Sequence, residues 1–261
     1  MSLAWIAPLG LAVGVLVGAL GGGGAIITVP ILVYLLGQSP AAATTGSLII
    51  VGLTSLAGLI PHGRAGHVRV RDGIAFGALG VAGSVAGSLL NHVVPGPILM
   101  TSFAGLLFLG AALMTRGRRR DARARDAGEA ASSGERRSLP VLVGAATIVG
   151  LLTGFFGVGG GFAVVPALVL VLGFTMPEAV GTSLLVIVIN SLTALASRAG
   201  AGVSIDWPVI ATFSVLGALG SLLGARVAGR VDSAKLNLAF TILLVCVACF
   251  VAVENVPLLL R

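Results

Sequence analysis

The sequence predicts an all-α, polytopic membrane protein made of two similar halves. Of its 261 residues, 57% are hydrophobic and only 10% are charged, whereas roughly a quarter of the residues in a soluble domain are charged. Apolar stretches follow one another along the chain, and each half contains one glycine-rich break followed by a proline. Such stretches must form helices in lipid, because helices satisfy their own backbone hydrogen bonds.

The glycine-rich breaks align the two halves. The first runs from Gly21 to Gly24 and precedes Pro30; the second runs from Gly157 to Gly161, 136 residues later, and precedes Pro166. The echo continues in Thr-Gly-Ser at 45–47 against Gly-Thr-Ser at 181–183, and in a Gly/Ser pattern at 80–87 and 217–224. Matched Gly/Pro-interrupted apolar segments are typical of the binding sites of transporters. The pattern therefore favours transport.

The lengths of the apolar stretches predict which of them cross the membrane. In chain order the stretches are Leu3–Leu20, Ala25–Leu36, Ala41–Ile60, Gly73–Leu90, Ile98–Met114, Leu139–Phe156, Phe162–Leu172, Ala179–Ala196, Pro208–Ala225 and Leu236–Val253. A crossing helix needs about 20 residues, so the second stretch of each half is too short. Each half is expected to hold three full spans and one Gly-broken or re-entrant helix pair.

The distribution of basic residues predicts three regions and an orientation. A first repeat at 1–114 and a second at 139–261 flank a polar linker at 115–138, which is rich in arginine. Because Lys and Arg stay in cytoplasmic loops, the linker is expected inside, and the next basic loops fall at different positions in the two halves. That shift predicts inverted-topology repeats with both termini outside.

Several functional classes are disfavoured by composition. The formal charge of +7 is concentrated in the linker, where a basic cluster beside a span is typical of contact with anionic lipid rather than with nucleic acid. Cys246 and Cys249 lie in an apolar segment without His or acidic neighbours, so we interpret them as small packing residues. The spans offer no catalytic constellation, and neither an enzyme nor a cofactor is expected.

The glycine breaks are the candidate anion site. A helix that begins within the membrane offers free N–H groups and the positive end of its dipole to an anion. The predicted substrate-binding residues are the glycines of the two breaks and polar residues downstream of them: Gly21, Gly23, Gly24, Thr45, Ser47, Gly157, Gly159, Gly160, Gly161, Thr182, Ser183 and Asn190. For the hydroxyls a bond to their own helical turn is the alternative. For Asn190 the alternative is a bridge between helices.

Other glycines and two charged residues receive a structural interpretation. Gly83, Gly87, Gly220 and Gly224 recur at four-residue spacing, which is typical of close helix packing in membranes. His62 and Arg198 occupy equivalent positions of the two halves at predicted span ends. A solvated role is expected for both, and screening or gating of an anion path is the alternative.

The repeated motif G-x-G-G-G-x-x-x-x-P, from Gly157 to Pro166, with a diverged copy from Gly21 to Pro30, resembles that of the sulfite exporter TauE/SafE family, also called the 4-toluene sulfonate uptake permease family. The resemblance covers nearly the whole chain outside the linker. It implies a prokaryotic inner-membrane carrier, an exporter, for sulfite or organosulfonates. The copies differ where Gly22 aligns with Val158 and Ala25 with Gly161, so equivalent half-sites are not expected.

Residues and resemblance together predict alternating access around an anion held at midplane by the two breaks. A passive small-anion channel and a non-transporting membrane scaffold subunit are the alternatives. The expected partners are a small anion and the lipid bilayer, and the sequence does not predict the oligomeric state.

Overall fold

The computed structural model describes residues 6–91, 96–126, 139–156, 161–198 and 205–259. Its ten helices in these ranges are α1 (Ile6–Leu20), α2 (Ala25–Pro30), α3 (Pro40–Arg64), α4 (Val70–Asn91), α5 (Gly96–Asp126), α6 (Leu139–Phe156), α7 (Gly161–Pro166), α8 (Met176–Ser197), α9 (Trp207–Ala228) and α10 (Ser233–Leu259). No strand occurs in the ranges just given. Five segments, Ile6–Gly23, Ala42–Arg64, Met176–Ser197, Trp207–Ala228 and Ser233–Val253, are long and apolar enough to cross a membrane. The chain is an all-α, polytopic membrane protein.

The two short apolar segments form matching irregular helices. A 3-10 turn at Gly21–Gly23 ends α1, and α2 then passes at Pro30 into a π-helical turn at Ile31–Leu35. In the second half α7 passes at Pro166 into a π-helical turn at Ala167–Val171. Proline has no N–H to donate to the preceding turn, which accounts for the wider turns that follow. Gly37 and Gly173 then end these segments with φ of +65° and +70°.

Helices of one half pack against helices of the other. α1 lies along α9 and α4 lies along α6, while α3 contacts α8 and α5 contacts α10. The repeat offset relates α1 to α6 and α4 to α9, so the first two pairs are repeat counterparts of each other. Such reciprocal pairing is expected of two equivalent halves related by a two-fold axis.

The contacts of α3 with α8 run in opposite directions along the two helices. Arg198 at the end of α8 bonds to Thr45 near the start of α3, and His62 at the end of α3 lies beside Gly181 near the start of α8. Between these ends, Gly52 faces Ser191. Two repeat-related helices that pack antiparallel support the predicted inversion of the halves, which remains a prediction.

The four-residue glycine patterns serve helix packing. A methyl group at Gly83 or Gly87 would overlap the backbone of α6, and one at Gly220 or Gly224 would overlap the backbone of α1. Small residues let membrane helices approach this closely. Their interpretation as packing residues agrees with these contacts.

Two features of the helices differ from expectation. α5 continues to Asp126, so helical structure enters the first half of the predicted linker at 115–138. The boundaries of the three regions remain a prediction. Cys246 and Cys249, which we interpreted as small packing residues, are exposed on α10 and are not packed in the interior of the described part of the chain.

Candidate functional site

The two glycine breaks meet at Gly22 and Gly161. A methyl group built on either glycine would overlap the main chain of the other, so the two segments touch through their backbones; we call this contact the crossing. Gly161 was predicted as a site residue, whereas Gly22, although it belongs to the first break, was not among the predicted site residues. Close backbone approach of this kind requires glycine on both sides.

Gly21 joins the crossing to α8. Its φ of +66° lies in the left-handed region that glycine adopts without strain, and it allows the chain to turn out of α1. A Cβ at Gly21 would fall on Oγ of Ser183 and 3.2 Å from the carbonyl oxygen of Val180. The structure therefore brings together two of the predicted residues, Gly21 and Ser183.

The other predicted glycines are distributed around the crossing or lie outside the described ranges. Gly23 faces the ring of Phe240 and the side chain of Leu243 on α10, and Gly24 faces Val17 at the end of α1. Gly157, Gly159 and Gly160 lie outside the described residues. Gly21, Gly23 and Gly24 are thus all enclosed by protein, as non-helical backbone at membrane depth must be.

The predicted hydroxyls divide between local and long-range hydrogen bonds. Ser47 donates to the carbonyl of Thr44 at 2.9 Å, and its repeat counterpart Ser183 donates to the carbonyl of Val180 at 2.8 Å. Thr182 instead accepts a hydrogen bond from the backbone N–H of Arg69 at 3.1 Å. Thr45, at the other end of the α3–α8 pair, accepts from Arg198.

Asn190 lies in the packed interior rather than at the glycine breaks. Its side chain is buried, and its Oδ1 has no hydrogen-bond partner among the described residues. That oxygen faces Gly80, where α4 packs on α6. Its repeat counterpart Thr54 likewise faces Gly217, so both residues reach from the central helices toward the outer pairs.

Three buried hydroxyls on the helices that form the cluster of Ala25, Val51 and Ile187 were not among the predicted site residues. Ala25, Val51 and Ile187 form one buried cluster between α2, α3 and α8. Thr28, Ser55 and Ser191 follow these residues three or four positions later, and residues at that spacing share a helix face. The hydroxyl oxygens of all three are buried without a hydrogen-bond partner among the described residues. A buried, unpartnered hydroxyl is costly and available to a ligand.

The sequence contained part of the information needed to find these three residues. Ser55 and Ser191 are repeat counterparts, but hydroxyls in membrane helices commonly bond to their own turn, which made them unremarkable. Thr28 aligns with Val164, so a search for repeated polar residues misses it. Ser191 lies at the level of Gly52, and Ser55 is three residues further along α3, about 4.5 Å of helix rise.

One end of the α3–α8 pair carries an ion pair. Arg69 bonds Glu178 with Nη2–Oε1 and Nε–Oε1 distances of 2.7 and 3.0 Å, and its guanidinium lies 4.6 Å from the centre of the Phe174 ring. Glu178 also accepts from the backbone N–H and hydroxyl of Thr175, the N-cap of α8. The segment after α3 is thereby fixed to the start of α8.

The opposite end of the pair carries an arginine held by hydroxyls. Nη1 of Arg198 donates to Oγ1 of Thr44 and of Thr45, both at 3.2 Å. No carboxylate in the described part of the chain lies within ion-pair distance of it. Arg198 follows the last residue of α8, and burial lowers the pKa of its guanidinium.

His62 has a different role from Arg198, its counterpart. It is buried, and its Nε2 lies 2.9 Å from the carbonyl oxygen of Gly18. Because α1 ends at Leu20, that carbonyl has no N–H four residues ahead in a continuing helix. His62 donates to it instead and stabilises the point where α1 stops.

An apolar cavity lies apart from the predicted site residues. It measures about 130 Å³ and lies between α5, α6, α7 and α10, lined by apolar residues such as Leu107, Val149 and Leu244. In this conformation the two breaks are packed together at the crossing. We find no group of three or more metal-binding side chains among the described residues.

Comparison with known proteins identifies one matching family and several relatives. The family model for the sulfite exporter TauE/SafE matches residues 6–251. A protein of Xylella fastidiosa (strain Temecula1) named "Probable membrane transporter protein" is 33% identical over 242 residues, covering 92% of this chain and 90% of the relative. YunE of Bacillus subtilis, named "Probable membrane transporter protein YunE", is 28% identical over 98% of this chain and 99% of its own length. No solved structure matches the chain significantly.

The match spans both glycine breaks, both π-helical turns and the α3–α8 pair. Its named relatives are membrane transporters and not enzymes, in agreement with the polytopic helical fold described above. The chain is therefore a membrane transporter protein that belongs to the sulfite exporter TauE/SafE family.

Proposed function

We propose that this protein carries small sulfur-containing anions, such as sulfite or an organosulfonate, across a prokaryotic inner membrane, with export as its direction. The observations that support this proposal are the crossing, where two broken helices meet, and three buried hydroxyls without partners among the described residues. Thr28, Ser55 and Ser191 are available as donors to the oxygens of an anion. The family's name supplies the sulfur chemistry, because uncharged hydroxyls alone do not distinguish a sulfonate from a carboxylate.

The proposed mechanism is alternating access. One half would rock against the other about the crossing, so that Gly22 and Gly161 separate toward one side and then the other. The predicted residues Gly157, Gly159 and Gly160 would complete the anion site from the second break. In the same proposal the linker at 115–138 is cytoplasmic and both termini are outside.

A binding experiment tests the substrate class. Detergent-purified protein is titrated with sulfite, thiosulfate, sulfoacetate, acetate and phosphate while thermal unfolding is followed. Selective stabilisation by sulfur oxyanions is expected, since a ligand that binds only the folded state raises the unfolding temperature. The variant Gly160→Leu should lose this stabilisation while remaining folded. A folded protein that responds to no anion would contradict the proposal.

A transport experiment separates the carrier from its alternatives. Proteoliposomes loaded with unlabelled substrate should accumulate labelled substrate transiently against its gradient, because a carrier exchanges one anion for another. A passive channel gives only equilibration, and a scaffold subunit gives no flux. Saturable counterflow would therefore exclude both alternatives.

A further inference from the structure

We infer that Arg198, with Thr44 and Thr45, forms an anion-docking site at the end of the α3–α8 pair opposite the Arg69–Glu178 bridge. The inference rests on the proposed function, because the ligand would be the transported anion on its way to or from the crossing. It adds a charged residue to a site that otherwise consists of glycines, hydroxyls and an amide.

The first argument is the charge balance at the two ends of the pair. Arg69 is neutralised by Glu178 at 2.7 Å. Arg198 has no such carboxylate within the described ranges, although it is partly buried. A partly desolvated cation gains from an opposite charge, and the transported anion would supply it.

The second argument is the geometry of the guanidinium. Among the described residues, the partners of Arg198 are Thr44 and Thr45, which accept from its Nη1 at 3.2 Å. Nε and Nη2 have no partner among the described residues. An arginine has five N–H donors in a planar fork that matches the paired oxygens of an oxyanion. Two neutral hydroxyls therefore orient the fork and leave one edge of it for a ligand.

The third argument is the contrast with the repeat counterpart. His62 occupies the equivalent position in the first half and donates to the Gly18 carbonyl, a structural role at the end of α1. Arg198 does not take that role and instead reaches across to α3. Thr45 is itself 7% exposed, so the hydroxyl that holds Arg198 is fixed in the packed interior.

The test measures anion affinity and transport in three variants. Arg198→Gln removes the charge, Arg198→Lys keeps the charge but loses the planar fork, and Arg226→Gln removes a surface charge at the far end of α9. Hydrogen bonds to charged groups contribute enough that Arg198→Gln should raise the Kd and the KM for sulfite about tenfold or more. Arg198→Lys should recover part of the loss, and Arg226→Gln should match the wild type.

The ionic strength dependence gives an independent readout. Wild-type affinity for sulfite should fall as inert salt is added, and Arg198→Gln should show a weaker salt dependence because the main cation is gone. Thr45→Val, which keeps the side-chain shape without the hydroxyl, should raise KM less than Arg198→Gln does. Size-exclusion profiles and thermal unfolding confirm that each variant is folded.

The outcomes separate this inference from the proposed function. If the wild type binds and exchanges sulfite while folded Arg198→Gln has the same KM, Kd and salt dependence, the docking site is wrong and the carrier stands. If the wild type neither binds nor exchanges any anion of the panel, the proposed function fails, and the docking site fails with it. Loss of affinity in Arg198→Gln at an unchanged unfolding temperature supports the docking site.

Discussion

Gly22 and Gly161 touch through their main chains although they are not repeat counterparts. Gly22 aligns with Val158, and Gly161 aligns with Ala25. A two-fold relation between the halves would pair Val158 with Ala25 on the other side of the axis, and Val158 lies outside the described residues. The two positions at which only one copy has glycine therefore belong to one contact. Two glycines meet at the crossing, whereas the repeat-related positions hold Val158 and Ala25, so the glycine pair occurs only once.

The close backbone contact at the crossing predicts that even a small substitution there is destabilising. Gly161→Ala places a methyl group on the backbone of Gly22, which cannot move aside as a flexible side chain would. We expect a loss of stability at the upper end of the range of about 1–3 kcal/mol for overpacking. Thermal unfolding and size-exclusion chromatography in detergent measure it.

Gly105→Ala is the matched control, because no atom lies within 4 Å of a Cβ at that exposed position of α5. It should unfold at or above the wild-type temperature, since alanine favours the helix by up to about 1 kcal/mol. Equal stability of Gly161→Ala and Gly105→Ala would show that the crossing is not tightly packed.

The buried hydroxyls of Ser55 and Ser191 predict variants that lose anion affinity without losing stability. Ser55→Ala and Ser191→Ala each remove a buried hydroxyl that has no described partner. Unfolding temperatures should stay the same or rise, because an unsatisfied polar group is removed. Sulfite affinity should fall two- to tenfold, roughly the effect of one hydrogen bond of about 0.5–1.5 kcal/mol.

The control for the serine variants is Thr241→Val on α10, whose hydroxyl donates to the carbonyl of Asn237. It removes a hydroxyl that already has a partner within its own helix, and it should leave sulfite affinity unchanged. Both quantities come from one set of thermal-shift titrations. Wild-type affinity in the double variant Ser55→Ala/Ser191→Ala would exclude these hydroxyls from the site.

The sequence predicts the elements of this fold better than their contacts. The lengths of the apolar stretches and the positions of Pro30 and Pro166 can be read from the local sequence. They correctly indicated two short segments that end near Leu36 and Leu172. The π-helical turns were not predicted, because the sequence does not show whether a backbone N–H bonds to the carbonyl four residues before it or to the one five residues before it. Contacts such as Arg198 with Thr45 join residues 153 positions apart, and spacing along the chain carries no information about them.

The candidate site was predicted in part for similar reasons. Repetition pointed to Gly21, Gly161 and Ser183, which lie at or beside the crossing. It did not single out Gly22 or Thr28, since neither is repeated. It also placed Thr45 and Thr182 with the glycines, whereas they bond to Arg198 and Arg69 at opposite ends of the α3–α8 pair. Their part in substrate binding remains a prediction.

The end of α1 predicts a structural role for His62. His62→Ala leaves the Gly18 carbonyl buried without its partner, and the expected loss of stability is about 1–3 kcal/mol. His62→Gln, which retains an N–H donor, should lose less. Unfolding in detergent measures the stability of both variants. If His62→Gln loses as much stability as His62→Ala, the loss is due to packing and not to the hydrogen bond.

We predict that the ion pair between Arg69 and Glu178 keeps this end of the α3–α8 pair closed but contributes little to the stability of the protein. Because the pair is partly exposed, Arg69→Gln should cost no more than about 1 kcal/mol. Without the bridge this end of the α3–α8 pair should open more often. The readout is Ser183→Cys in a background with Cys246→Ser and Cys249→Ser, labelled by a membrane-impermeant maleimide. Arg69→Gln should speed labelling severalfold. The control is Arg64→Gln, because Arg64 is an exposed arginine at the same end without a described ion pair, and it should not change the rate. Equal labelling rates in the two variants would show that the ion pair does not hold this end closed.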